Sequence, residues 1–265
     1  MGSPIESGLS AVKRGARAAV IRSGREEQAR EFVARVREAR SAFDPAWRRE
    51  LRDEHAMHLL LSSLLRTNSN AIDVGANEGA TLETIVKVAP LGRHIAYEPI
   101  PGLNADLVAR FPGVDVRRAA ASDAAGEAEF THVLNAPAYS GLRRRADLPA
   151  DAQEVERIPV KLEKLDDALP DGYVPSLIKI DVEGAELLVM RGAAETLTRH
   201  KPYVLFEHGM GGADLYGSKP GELWDLLDGA GLRIFDFEGT GPYTRDGFEA
   251  VFPEPIWNFV AVPAT

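Results

Sequence analysis

The sequence predicts an α/β protein: a doubly wound, mostly parallel sheet of seven strands with helices on both faces, preceded by a helical N-terminal extension. Three observations predict it. After residue 70, short apolar runs alternate with helix-like segments, the order a parallel sheet needs because each crossover must cover a sheet face. Glycine-spaced turns with acidic residues follow the strand ends, where open sheets of this kind bind ligands. Composition is ordinary for a globular protein, 45% hydrophobic and 27% charged over 265 residues, enough for one large domain or a core with an appendage.

Residues 1–67 read as the helical extension. Between Glu26 and Arg40, Phe32, Val33, Val36 and Ala39 recur among charges at helical spacing. A second helix begins near Asp44, with Pro45 tolerated in its first turn, and runs through Trp47, Leu51, Leu59 and Leu64. Its apolar stripe must bury against the sheet domain or a second subunit, so a lid or a homodimer element is expected. Residues 68–265 form the ligand-binding domain. Its strands are expected at Ala71–Val74, His94–Glu98, Val114–Arg118, Leu177–Asp181, Tyr203–Glu207, Leu232–Phe237 and Trp257–Val262, with helices at 79–89, 102–110, 184–198 and 219–230. Strand-like pieces at Glu127–Val133 and Val155–Leu162 interrupt the alternation and read as an insertion at about 125–165, near the site.

Charge narrows the function. The net charge is −9, but residues 1–67 hold 13 basic and 9 acidic residues, whereas 68–265 hold 18 basic and 31 acidic. An acidic body argues against a nucleic-acid partner, because phosphate binding needs a basic track. There is no cysteine, so disulfides, thiolate metal sites and cysteine nucleophiles are excluded. No apolar run approaches the roughly 20 residues that span a bilayer, and Lys13, Arg14, Arg17 and Arg22 interrupt any apolar leader. A cytoplasmic protein with no membrane partner is expected.

The first strand ends in Asp73-Val74-Gly75-Ala76-Asn77-Glu78-Gly79, where Gly75 and Gly79 let backbone approach a ligand closely. The turn lacks both the Gly-Lys-Ser/Thr of a phosphate loop and the G-x-G-x-x-G of a dinucleotide site, which disfavours a nicotinamide-dependent oxidoreductase. Its acidic residues would repel a pyrophosphate but suit the ammonium and sulfonium of S-adenosylmethionine. Glu98, 25 positions after Asp73, is placed to accept hydrogen bonds from ribose hydroxyls. Asp123 and the Ser122 N–H, read as following the third strand, are placed for the adenine edge. Thr81 and Pro99 complete the expected contacts of these turns.

The blocks Asp73–Gly79, Tyr97-Glu98-Pro99 and Leu177-Ile178-Lys179-Ile180-Asp181-Val182-Glu183-Gly184-Ala185-Glu186 closely resemble the FkbM family of S-adenosylmethionine-dependent methyltransferases, over roughly 70–210. The resemblance implies a Rossmann-like class I methyltransferase fold, usually methylating a hydroxyl of a sugar or natural product. It also implies that the Tyr139-Ser140 stretch of the insertion, which includes Asn135, lies over the cofactor or acceptor. The following Arg143, Arg144 and Arg145 offer a grip for an acidic acceptor or form a solvated loop.

Asp181 at the end of the fourth strand, with Glu207 and His208 after the fifth, are the candidate catalytic residues. Asp181 also belongs to the expected cofactor contacts, facing the transferring methyl. An alcohol is a weak nucleophile until deprotonated, so the site needs a general base or a divalent metal. The two carboxylates are expected to raise the basicity of His208, making it the base while Asp181 orients the acceptor. Magnesium or manganese held by Asp181, Glu207 and His208 is the alternative, although magnesium prefers oxygen ligands. The expected acceptor is a hydroxylated small molecule. N-methylation of an amine or amide, and a non-catalytic nucleoside-binding module, are the alternatives.

Overall fold

The computed structural model describes residues 45–144 and 154–264. The segment 26–40 and Arg145 lie outside them. Helix α1 (Pro45–Leu64) is followed by β1 (Ala71–Val74), α2 (Ala80–Val88), β2 (His94–Tyr97), α3 (Pro101–Arg110) and β3 (Asp115–Arg117). Next come β4 (Ala119–Ala121), β5 (Gly126–Val133), β6 (Val155–Glu163), α4 (Leu165–Ala168) and β7 (Leu177–Ile180). The chain ends through α5 (Glu186–Arg191), α6 (Ala194–His200), β8 (Tyr203–Glu207), α7 (Pro220–Gly229), β9 (Leu232–Asp236), α8 (Arg245–Val251) and β10 (Asn258–Pro263).

Seven strands form the main sheet in the order β3-β2-β1-β7-β8-β10-β9. All pairings are parallel except those of β10, which runs antiparallel to β8 and β9. This is the class I methyltransferase arrangement. The reversal of strand order lies between β1 and β7, and loops beyond their carboxyl ends meet there.

Strand alternation divides the core. Ile72, Val74, Ile178, Ile180, Val204 and Phe206 face α5 to α8. Ala71, Leu177, Leu205 and Val260 face the other way, against Leu61 and Leu65 at the end of α1 and Ile85 of α2. Helix α1 therefore buries its stripe on the sheet, where His58 Nδ1 and Thr84 Oγ1 lie 2.8 Å apart. Leu59, expected in that stripe, is instead 70% exposed.

Two expected elements differ. The chain leaves the main sheet at Arg118, so the expected strand 114–118 stops at Arg117 and β4 starts a second sheet, ordered β4-β6-β5. The expected helix 184–198 is two helices. At its break, a Cβ on Gly192 would lie 2.0 Å from the Ser122 carbonyl oxygen at the end of β4, so the backbones are in direct contact there. Asp166 repairs the break: it accepts from Glu195 N at 3.0 Å and Thr196 N at 2.9 Å, capping α6.

Candidate active site

A pocket opens at the carboxyl ends of β1, β2 and β7 and is roofed by the second sheet. Its walls come from Gly75 and Asn77, from Glu98 and Pro99, from Ala119–Ala121 and Phe130, from Ser140 and Leu142, and from Asp181 to Glu183.

The β1 turn is shaped by steric need. Gly75 has φ +81°, and a Cβ there would sit 1.9 Å from the Asp181 carbonyl oxygen, so only glycine lets the two turns meet. Asn77 adopts φ 47°, and its buried Oδ1 has no hydrogen-bond partner on the pocket wall. Glu98 is buried; Oε2 accepts from Asn77 N and Oε1 from Ile100 N, each at 2.8 Å. Burial pushes its carboxyl up to about 7, against the pull of these two N–H groups. Each oxygen keeps a lone pair for a ligand hydroxyl. These features fit S-adenosylmethionine: a carboxylate for the ribose, a glycine turn that admits backbone contact, an orphan amide oxygen, and an apolar slot of Ala120, Ala121, Phe130 and Leu142 for a flat ring.

Several expected contacts lie elsewhere. The Ser122 N–H donates to Glu163 O at 2.9 Å and Asp123 is exposed, because both follow β4 rather than a strand of the main sheet. Neither lines the pocket, and second-sheet apolar residues stand where the adenine edge was expected to meet polar groups. Gly79 faces α3: a Cβ there would come 2.5 Å from Leu107 Cδ2. Thr81 lies in the first turn of α2, off the pocket wall. Asp73 is fully buried beneath the site, where its partner is Lys179. Ser140 does line the pocket, but its Oγ accepts from Val133 N at 2.9 Å. Arg143 grips the chain itself. Its N–H donates to Tyr216 Oη at 2.9 Å, Nη1 donates to Leu215 O at 2.5 Å, and the guanidinium lies 5.3 Å above the Tyr216 ring.

At the acceptor end, Asp181 reaches the pocket with its side chain 43% exposed, and Glu207 sits behind it. Burial, then the charges of Asp181, Glu183 and Glu186, hold the Glu207 carboxyl well above the usual carboxylate range. Glu186 is structural. Its Oε1 accepts from Val182 N at 3.1 Å and Gly184 N at 3.0 Å, fixing a turn in which Glu183 takes φ 58°. Gly184 lets that turn touch the loop after β8, since a Cβ there would fall 2.2 Å from Gly212 O.

His208 departs most from expectation. It is 2% exposed, stacked on Phe248 at 5.8 Å and tilted against Phe252 at 5.1 Å, and neither ring nitrogen has a hydrogen-bond partner. Burial lowers its pKa to about 4, the reverse of the expected rise in basicity, because phenyl rings rather than carboxylates surround it. Among the described residues no three histidine or carboxylate side chains stand where they could hold a metal ion, so the set Asp181, Glu207 and His208 is not assembled for one. Sequence reasoning missed Lys179. A lone charge inside the four-residue apolar strand Leu177–Ile180 was the available signal.

A family described as "Methyltransferase FkbM domain" matches residues 73–234. The protein "Methyltransferase sdnD" of Sordaria araneosa is 30% identical over 162 residues, covering 49% of this chain and 62% of that protein, so the chain spans less than two thirds of its length. The crystal structure of a methyltransferase FkbM from Methylobacillus flagellatus KT has a TM-score of 0.48 at 17% identity, covering 76% of this chain and 47% of the other. A TehB-like S-adenosylmethionine-dependent methyltransferase from Corynebacterium glutamicum has a TM-score of 0.44 at 10% identity, covering 90% and 99%.

Proposed function

Because the chain belongs to the FkbM methyltransferase domain family and is S-adenosylmethionine-dependent, we propose that it methylates a hydroxyl of a small molecule such as a sugar or natural product. The cofactor supplies an electrophilic methyl on a sulfonium. Glu98 would hold the ribose, the Gly75–Asn77 turn would border the amino-acid end, and the Phe130 slot would take the adenine.

The observation that carries the hydroxyl assignment is the carboxyl pair. Asp181 stands on the pocket wall, and burial together with the neighbouring carboxylates raises the proton affinity of Glu207 behind it. A carboxyl pair of this kind can accept the hydroxyl proton as the oxygen attacks, which is what a base with a raised pKa does best. The bound cofactor would supply its methyl as the electrophile for the acceptor oxygen, and the Asp181–Glu207 pair would take the hydroxyl proton. His208, enclosed by phenyl rings and neutral, takes no part in this scheme.

The acidic wall also favours a protonated amine, which makes N-methylation the second reading. The acidic body supports a small-molecule rather than a nucleic-acid acceptor, and the lack of cysteine fits a cytoplasmic setting. Among the described residues no helix is long and apolar enough to cross a membrane. Incubation with methyl-labelled cofactor and panels of hydroxylated and amine acceptors, read by mass spectrometry, tests the assignment. Label on a hydroxyl, lost in Asp181→Asn and retained in His208→Ala, is the expected result. Label on amines alone would overturn it.

A further inference from the structure

Strand β7 carries a charge at its centre. Lys179 pairs in register with Asp73 of β1 and is 5% exposed. Its Nζ donates to the Gly75 carbonyl oxygen at 2.8 Å and lies 3.3 Å from both Asp73 Oδ1 and Asp181 Oδ2. Asp73 is sealed in the core, whereas Gly75 and Asp181 border the pocket. Neutralising Asp73 alone would need one of these contacts; the ammonium spends the other two on the pocket wall. Among the described residues, several acidic groups crowd Asp181. Asp73 approaches from β1, Glu207 from β8 and Glu186 from α5, with Glu183 in the intervening turn, and Lys179 is the cation set among them.

We propose that Lys179 is a positioning residue of the methyl-transfer site, its ammonium aiming the Asp181 carboxylate into the pocket while fastening the Gly75 turn to it. This rests on the reading of the pocket as the cofactor site. Without the lysine, the Asp181 carboxylate and the Gly75 carbonyl lose the donor that ties them together, so the carboxylate is no longer held toward a neighbouring positive centre.

S-adenosylmethionine and S-adenosylhomocysteine differ by one methyl and one positive charge at sulfur, so their affinity ratio reads the negative charge at the transfer position. Calorimetric titration of both compounds is to be run on the wild type, Asp73→Asn and Asp73→Asn/Lys179→Met. The last two differ only at Lys179, and removing both buried charges together protects the fold. The preference for the sulfonium should fall about tenfold or more in the double variant relative to Asp73→Asn, because an Asp181 carboxylate without its tether no longer faces the transfer position. An unchanged preference, or the stronger one that removing a cation alone would give, would reduce Lys179 to a structural partner of Asp73 and overturn the proposal. Should the double variant not fold, Asp181→Asn decides: the proposal requires that it lower the ratio, and an unchanged ratio overturns it. Failure of the wild type to bind either compound would remove the cofactor-site reading itself, a result distinct from binding with an unchanged preference.

Discussion

Lowering the pH from about 7 to about 4 should destabilise the fold through His208, and His208→Phe should remove that part of the loss. The ring is buried among Phe248 and Phe252 with no polar partner, so the native state keeps it neutral down to a pKa of about 4. An unfolded histidine protonates near its ordinary value of 6.5. Between these values the unfolded state binds the extra proton, so stability rises with pH across the window and is lost as pH falls. About 2.5 pH units at roughly 1.36 kcal/mol each come to about 3 kcal/mol.

Urea unfolding of both proteins at about pH 7.5 and about pH 4.5 measures it. The buried carboxyls of Glu98 and Glu186, both raised to about 7, act in the opposite direction: their contribution is present below the unfolded carboxylate pKa and is lost as pH rises through about 7. They are common to both proteins and cancel in the comparison. A difference in pH dependence below about 1 kcal/mol, or an NMR titration of the His208 ring near its unperturbed value, would refute the reasoning.

Three further outcomes are expected. Glu98→Ala removes a buried acceptor of two N–H groups and should weaken S-adenosylhomocysteine binding by about 1–3 kcal/mol, read by calorimetry. Gly75→Ala drives a methyl against the Asp181 carbonyl at positive φ and should cost about 1–3 kcal/mol of stability or more, whereas Gly102→Ala, with open space around it, should be neutral or slightly stabilising in thermal melts. Arg143→Ala breaks the tie to Tyr216 and Leu215 and should speed hydrogen exchange over 134–142 while weakening cofactor binding by about 0.5–1 kcal/mol.

The strands of the main sheet were legible because each is a short apolar run closed by turn residues, and Glu98 and Asp181 because strand ends are where such sheets bind ligands. What escaped depends on distant chain. Nothing local separates Ala119–Ala121 from the end of the third strand, yet its pairing with β6, some forty positions away, carries Ser122 and Asp123 out of the pocket. His208 occupies a strand end like the catalytic candidates, and only α8 with the following turn, bringing Phe248 and Phe252 from far along the sequence, encloses it. Lys179 was readable as an anomaly in an apolar strand, but its three partners appear only once β1 and β7 lie side by side.

The contact between Gly192 and the end of β4 bears on how this scaffold can be recombined. The second sheet is not a detachable roof. Its first strand leans on a gap in the α5–α6 segment, and that gap is held by Asp166, which belongs to the link leaving β6. A chimera exchanging residues 119–163 for a different roof, to admit a different acceptor, would leave a broken helix with nothing lodged in the break. Grafts that carry Asp166 and the 192–193 corner with the donor sheet keep the two halves of that joint together.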